Sequence, residues 1–500
     1  MGHKADGRKD AKTGWELWTR NPVCHTFGSG AAHLLPPEPR MPPATTAHNL
    51  EQSGALREYG YLERRLAIAA LLLLIVLNVA FIAWNVATIP VRGMAAVALL
   101  GAYGMTYPAE LEHACRRHLL VIALAASLAA LGVFVSAVNG EDATVIIRAL
   151  MEVQIQVVIN LILATILVSI AGATMSGLVI GGVILSSAVL ALLQLMDIPF
   201  AWAIRDALGN NLRGAVAGAL SVEGDVRTSG LSYSPIQLAT QLCLAFGVSA
   251  ALWEHRHTIG IKQPHADPVV LIMLAAMCVG AIICATRSPV LGAVIFFALY
   301  ALRRKGSWLM VVAMLGGAAL YLVWPLVMEI LQSSQPRMVR TDDNSATGRQ
   351  SLFTYGLYLF RDNPLGYGFG FDPIEHWTKY WQDLYTLDNP NVVKISELHN
   401  YMLNMLNTYG VGIVLVAPLV WKLLFRARYS MIFFIPYIVH TTFHNTGPFW
   451  NDMIFWYVVA TLSSYVPARW HSDQTARSNM PPPRIRLLAP GAAPADRSRF

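Results

Sequence analysis

The residues able to do chemistry in this sequence are four arginines and a histidine, set in short motifs far apart along the chain. Arg227 opens Arg227-Thr228-Ser229-Gly230, Arg287 lies in Thr286-Arg287-Ser288-Pro289, Arg349 lies in Thr347-Gly348-Arg349-Gln350, and Arg340 stands shortly before it. His399-Asn400 closes the polar interval from Leu331 to Leu398, the longest hydrophilic stretch after residue 65. A guanidinium is charged at any physiological pH and presents a planar fork of donors that matches phosphate, so Arg227 beside two hydroxyls and a glycine suits a phosphate clamp. Each arginine taken alone reads first as a side chain snorkelling to lipid headgroups. A histidine at a helix end is more often a satisfied interfacial residue than a catalyst. What favours the chemical reading is that Arg227, Arg287 and Arg349 reach one face from separate elements. The neighbouring carboxylates, Asp372, Glu375 and Glu397, lack metal-binding spacing with the histidines, so the expectation is a site with no metal and no cofactor.

Positioning these groups is the task of the polar interval. Thr347-Gly348-Arg349-Gln350 reads as a capping box, which would put Arg349 in the first turn of a helix, where backbone N–H groups and a guanidinium face the same anion. Leu352, Tyr355 and Leu359 give that helix one apolar side, and Asp362-Asn363-Pro364 ends it. Gly366, Gly368 and Gly370 alternate with Tyr367 and Phe369; no strand precedes them and their spacing is wrong for a nucleotide-phosphate loop, so they read as a close-packed turn. After His399-Asn400, the residues Tyr401, Asn404 and Asn407 form a polar stripe at helical spacing. Lipid would leave its amides unsatisfied, so the stripe faces protein or a water-filled cavity. His444-Asn445 could line the same cavity, with a bystander role as the expectation.

Composition fixes the setting. Of 500 residues 55% are hydrophobic and 13% charged, with a mean hydropathy of +0.46, against about 25% charged residues in soluble domains. The net charge of +7 sits in short segments between apolar runs and in the C-terminal tail, the pattern of a membrane-orientation signal rather than a nucleic-acid footprint. Cys243, Cys278 and Cys284 lie in apolar runs, Cys115 abuts Arg116-Arg117 and Cys24 is in the N-terminal stretch, so neither a disulfide framework nor a CxxC metal motif is present.

Residues 1–60, rich in proline, glycine, histidine and charge, read as a disordered cytoplasmic tail. From Leu66 apolar runs recur at lengths a lipid core imposes, roughly 17–25 residues each. They fall near 66–87, 91–107, 118–138, 150–172, 176–196, 235–253, 268–286, 289–302, 308–330, 399–421, 430–446 and 450–467. The fold class is therefore all-α, a polytopic inner-membrane protein of about 12 transmembrane helices over 61–467. A large external loop, 331–398, contains short helices, and a basic cytoplasmic tail covers 468–500. Alternate connections carry Arg116-Arg117, Arg256 with Lys262, Arg303-Arg304-Lys305, and Lys422 with Arg426 and Arg428, which places them and both termini inside. The connections 197–234 and 331–398 then face outside. Their arginines violate the inside bias at the edge of the hydrocarbon, where an unpaired charge is expensive, and an anionic ligand on the outer face accounts for them. Arg148 and Glu152, near the start of the fourth crossing, read as interfacial residues.

The order of these motifs resembles the O-antigen ligase and O-antigen polymerase superfamily of bacterial membrane glycosyltransferases. The resemblance is carried by Arg227-Thr228-Ser229-Gly230, Thr286-Arg287-Ser288-Pro289, Gly348-Arg349, Asn363-Pro364-Leu365-Gly366-Tyr367-Gly368, His399-Asn400-Tyr401 and Tyr409-Gly410-Val411-Gly412. It implies a metal-independent, inverting transfer of a glycan from a polyprenyl-pyrophosphate carrier to an acceptor hydroxyl, with the active site facing the periplasm. It assigns Arg227 and Arg287 to the pyrophosphate as catalytic groups, Arg349 to the same region or to loop positioning, and His399 to the acceptor hydroxyl. Arg340 and Asn400 are expected among the substrate-binding residues, and Trp377, Tyr380, Trp381 and Tyr385 offer aromatic faces suited to sugar rings. The acceptor would be a lipid A core for a ligase, or a second lipid-linked glycan for a polymerase of lipopolysaccharide or exopolysaccharide. A transporter of lipid-linked glycans is the competing class; it would more often show internal repeats and charged midplane residues, neither of which is found. No nucleic-acid partner is expected.

Overall fold

Hydrophobic runs without internal proline dominate this chain, and a backbone with no water to bond must satisfy itself, which favours helix. The computed structural model describes residues 59–82, 84–86, 89–208, 227–255, 266–304, 325–326, 328–329, 344–427, 430–450 and 452–464, all within one unit that starts at Tyr59. The tail 1–58, Arg340, nearly all of the expected crossing 308–330 and residues 465–500 lie outside them. Among the described residues the regular secondary structure is helical apart from one hairpin, β1 (Asn85–Val86) against antiparallel β2 (Ile89–Pro90), and an isolated bridge between Gly447 and Trp450.

The helices in order are α1 (Tyr61–Ala80), α2 (Val91–Thr106), α3 (Pro108–Arg117), α4 (Leu119–Val138), α5 (Ala143–Ala149), α6 (Gln156–Ala171), α7 (Ala173–Leu195) and α8 (Pro199–Leu208). They continue with α9 (Pro235–His255), α10 (Ala266–Ile283), α11 (Ser288–Arg304), α12 (Asn344–Asp362), α13 (Trp377–Leu384), α14 (Tyr401–Tyr409), α15 (Ala417–Ala427), α16 (Ile435–Thr441) and α17 (Met453–Ser463). A π turn, Leu150–Ile155, joins α5 to α6, and a 3-10 turn, Gly410–Val416, joins α14 to α15.

Five described segments are long and apolar enough to cross a membrane: Leu119–Val138, Ala143–Ala171, Ala173–Leu195, Pro235–Glu254 and Tyr401–Leu424. Five shorter apolar helices, Val91–Thr106, Pro268–Ile283, Ser288–Arg303, Met431–Thr441 and Met453–Ser463, coincide with further expected crossings, and α1 coincides with the first. The chain is thus a mostly helical, multi-pass membrane protein. Two expected crossings differ in form. The run 399–421 is broken where Gly410, at φ +62, meets Leu365 and Gly366 so closely that any Cβ would overlap them. The run 430–446 is helical only to Thr441, and a turn carries the remainder.

The core centres on α6, nearly all of whose residues from Asn160 to Ala171 are buried, packed by α1, α2 and α17. Its buried amide is satisfied: Tyr457 donates to Asn160 Oδ1 at 2.7 Å. α9 packs between α7, α10 and α17, and α11 lies along α16, where Gly292 leaves room for the Pro436 backbone.

A second, smaller cluster builds the module after residue 344. Leu352, Tyr355 and Leu359 of α12 are buried against Tyr380, Leu384, Val393, Leu398 and Leu403, as the helical spacing predicts. Tyr355 donates to the Pro373 carbonyl at 2.6 Å, and its burial raises its phenol above the ordinary value. The glycine turn fastens this module to the long helices. Tyr367 N donates to Asn407 O at 2.8 Å, Gly368 N to Thr408 O at 2.9 Å, and Phe369 N to Ser136 Oγ at 2.7 Å. Gly366 (φ +92) and Gly368 (φ +86) are left-handed and touch backbone on their Cβ side, so this is the close-packed turn the sequence predicts.

Candidate functional site

Arg227 starts a segment in which nearly every polar group is tied to a neighbouring helix. Gln194, near the end of α7, accepts with Oε1 from Ser229 N (3.3 Å) and Gly230 N (3.0 Å). Ser187 Oγ accepts from Leu231 N at 3.0 Å, and Ser232 donates to Gln241 Oε1 of α9 at 2.6 Å. Thr228 donates to the Ile283 carbonyl at 2.9 Å. Gly230 (φ +57) is required, because a Cβ there would lie 1.8 Å from the Ser187 carbonyl oxygen. With the segment held in this way, Arg227 donates from Nη2 to Thr286 Oγ1 at 3.3 Å. The first two arginine motifs, 60 positions apart in sequence, are therefore in contact.

Thr286-Arg287 follows α10 through a tight turn in which Ala285 adopts φ +50, a left-handed conformation costly for a residue with a Cβ. The turn hands directly into α11, whose first residue, Ser288, is buried. Its Oγ lies 2.8 Å from His440 Nδ1 and 3.4 Å from His444 Nε2. The His444 ring in turn stands 6.5 Å from that of His399, edge to face.

His399 precedes α14, and Asn400 caps that helix by accepting from Leu403 N at 2.9 Å. The expected stripe does face protein: Asn407 is fully buried and donates to the carbonyls of Gly356 (3.0 Å) and Leu403 (2.9 Å). Arg349 on α12 is brought to His399 where Gly356, two turns further along, lets Leu403 approach α12 closely. The two lie on one cavity of about 450 Å³, lined also by Gln350, Asn400 and Thr442 and by the apolar Leu352, Phe353, Leu403 and Phe443. Burial, aided by the positive charge of Arg349, lowers the His399 pKa from 6.5 to about 4, so the ring is neutral at pH 7. The charges of Arg349 and Arg227 also act on His444.

One local expectation is corrected. α12 begins at Asn344, three residues before Thr347, so Thr347 and Gln350 do not form a capping box and Arg349 lies in the second turn. The helix end at Asp362 is as expected. Asp362 itself is held below the usual carboxylate range by Lys379, 2.7 Å away, and by Tyr380.

Trp377 and Trp381 do not line the cavity. They sit edge to face, 5.6 Å apart, with Lys394 Nζ 4.9 Å from one ring centre and 3.5 Å from the other. Arg148 pairs with Glu152 at 2.9 Å as an exposed i,i+4 pair. Sequence reasoning passed over His440, four residues before His444; the helix ends at Thr441, and the turn after it brings the two rings to 4.3 Å. It also passed over Gln194 and Ser187, which carry no motif and act only through the segment they hold.

Residues 272–435 match the family model described as O-antigen ligase. The match covers Arg287, Arg349 and His399, while Arg227 lies outside it. Over this span the likeness to the O-antigen ligase superfamily is shown. No curated protein matches the chain.

Proposed function

We propose that this protein is a glycosyltransferase of O-antigen ligase type in the bacterial inner membrane. It moves a glycan from a polyprenyl-pyrophosphate carrier to an acceptor hydroxyl at the periplasmic face. The observation that carries the reading is the mixed lining of one cavity: a guanidinium, a neutral imidazole and two amides together with Leu352, Phe353, Leu403 and Phe443. An anionic headgroup esterified to a hydrocarbon chain has that same mixed character, and 450 Å³ is within the usual range for a ligand site.

The chemistry follows from the groups present. Departure of the pyrophosphate from the anomeric carbon develops negative charge, which Arg349 and the neighbouring Arg227 and Arg287 stabilise without reorganising. His399 takes the proton of the acceptor hydroxyl as that oxygen attacks from the opposite face, which inverts the anomeric centre. Its low pKa keeps the ring unprotonated before donor binds, and a pyrophosphate beside Arg349 offsets the repulsion and raises its basicity during the reaction. The module over residues 331–398 would shield the cavity, with Trp377 and Trp381 offering a sugar platform at its far side and Arg340 a further cation.

Ligase and polymerase share this machinery and differ in acceptor. Deleting the gene and analysing the lipid-linked pool tests the proposal. Long chains stranded on the carrier support the ligase and single unpolymerised repeats the polymerase; an unchanged pool with normal surface glycan refutes both.

A further inference from the structure

His440 does not line the cavity, yet both of its ring nitrogens are engaged. Nδ1 lies 2.8 Å from Ser288 Oγ, and Nε2 lies 2.9 Å from Thr240 Oγ1. Thr240 donates its own hydrogen to the Ile236 carbonyl at 3.0 Å, so it accepts from Nε2, which must carry the ring proton. Nδ1 is then an acceptor, and Ser288 donates to it. The Ser288 oxygen is left to accept from His444 Nε2, 3.4 Å away. The donors thus run in one sense, from His444 through Ser288 and His440 to Thr240. At the head of the series His444 Nδ1 is buried without a hydrogen-bond partner among the described residues, and so is Nδ1 of His399 across from it.

At the other end Thr240 lines a second space of about 20 Å³, room for a single water, together with Asn78, Arg92, Gln237, Thr446 and Asp452. Asn78 Oδ1, Gln237 Oε1 and Thr446 Oγ1 are buried in their surroundings without a partner among the described residues. A water-sized space ringed by unsatisfied polar atoms is a site that holds water.

We infer that His444, Ser288, His440 and Thr240 form a proton relay that drains the catalytic cavity into this hydrated chamber. The inference rests on the proposed role of His399 as acceptor base. In the reaction the acceptor O–H bond breaks, its oxygen bonds to the anomeric carbon, and the carbon–pyrophosphate bond breaks with its electron pair leaving on the phosphate oxygen. His399 takes the acceptor proton on one ring nitrogen and releases the proton of the other, through a bridging water, to His444 Nδ1, the two ring centres standing 6.5 Å apart. His444 passes Nε2–H to Ser288, Ser288 its hydroxyl hydrogen to His440 Nδ1, and His440 Nε2–H to Thr240. As it accepts, Thr240 turns its hydroxyl from the Ile236 carbonyl to the chamber water and gives it the hydrogen, beside the Asp452 carboxylate. One proton enters and one leaves, with no redox change. The device has a physical reason: a proton left on His399 or His444 would face the charges of Arg349 and Arg227, and the relay carries it away from them.

His440→Gln keeps a donor and an acceptor in place of the ring nitrogens but cannot exchange protons between them, and Ser288→Ala removes a single oxygen. The assay is glycan transfer by purified protein, with lipid-linked glycan extracted from membranes of a strain lacking the gene as donor. Each variant is expected to lose about 10²-fold in kcat, with an unchanged KM for donor and an enlarged solvent deuterium isotope effect. Wild-type kcat in both variants overturns the relay, and so does a loss expressed in KM with an unchanged isotope effect, the signature of a structural role. If His440→Gln does not fold, Ser288→Ala decides by the same criteria. An active His399→Ala would instead remove the base reading itself; an inactive His399→Ala beside fully active His440→Gln and Ser288→Ala would refute the relay alone.

Discussion

The acidity of His399 gives a prediction that can be worked through. Burial and the Arg349 charge bring its pKa from 6.5 to about 4. That difference corresponds to roughly 3 kcal/mol of preference for the neutral ring. At about pH 5.5 an ordinary histidine is mostly charged, whereas His399 is mostly neutral, so a base at this position is still available. The acid limb of kcat/KM should therefore fall near pH 4, with activity at pH 5.5 close to that at pH 7. Arg349→Gln removes the smaller of the two causes; the limb should move up yet stay below 6.5, while the plateau drops because the cation facing the donor is gone. Stability changes with a defined sign. Between about pH 6.5 and 4 the unfolded chain binds a proton that the folded chain refuses, so the His399 contribution to stability is whole above 6.5 and declines as pH falls to about 4. The assay is transfer rate against pH, with each sample returned to pH 7 to confirm that it recovers. A wild-type limb at 6.5, or a limb that Arg349→Gln leaves in place, would refute the reasoning.

Three further outcomes are expected. Gly230→Ala would place a Cβ 1.8 Å from a backbone oxygen at φ +57, costing well over the ~1–2 kcal/mol of the left-handed backbone alone, whereas Gly182→Ala, with nothing within 4 Å, should stay within about 0.5 kcal/mol; thermal denaturation in detergent compares them. Single cysteines replacing Asp343 and Gln263 in a cysteine-free background should react with an impermeant thiol reagent from outside and inside respectively, and labelling from one side would overturn the topology. Trp381→Ala should raise the KM for acceptor several-fold with a small change in kcat, measured by acceptor titration, and an unchanged KM would remove the platform role.

Helix positions, the apolar side of α12, its stop at Asp362, the glycine turn and the inward stripe from Tyr401 were legible because each follows from a local rule: periodicity, proline chemistry or backbone freedom. The start of α12 was not, since Asn344-Ser345-Ala346 is helix-compatible and an apparent capping box within a helix looks the same in sequence as one at its end. The break at Gly410 needed the distant Leu365-Gly366 as a partner, and no local pattern encodes that. Within the site, Arg349 and His399 were found as motif residues and share a cavity. The contact of Arg227 with Thr286 depends on Gln194 and Ser187, whose burial sequence does not reveal. His440 was visible only as a spacing of four from His444, and its meaning came from Ser288 and Thr240 arriving from two other helices.

The central claim is that the cavity of Arg349 and His399 transfers glycan from a pyrophosphate carrier. The most direct measurement is transfer by purified protein, in the presence of a chelator, from radiolabelled polyprenyl-pyrophosphate-linked glycan to an acceptor glycolipid. The wild type is expected to transfer fully and His399→Ala and Arg287→Ala not at all, with His399→Ala still retaining labelled donor. Transfer by His399→Ala at the wild-type rate, or abolition of wild-type transfer by the chelator, would contradict it.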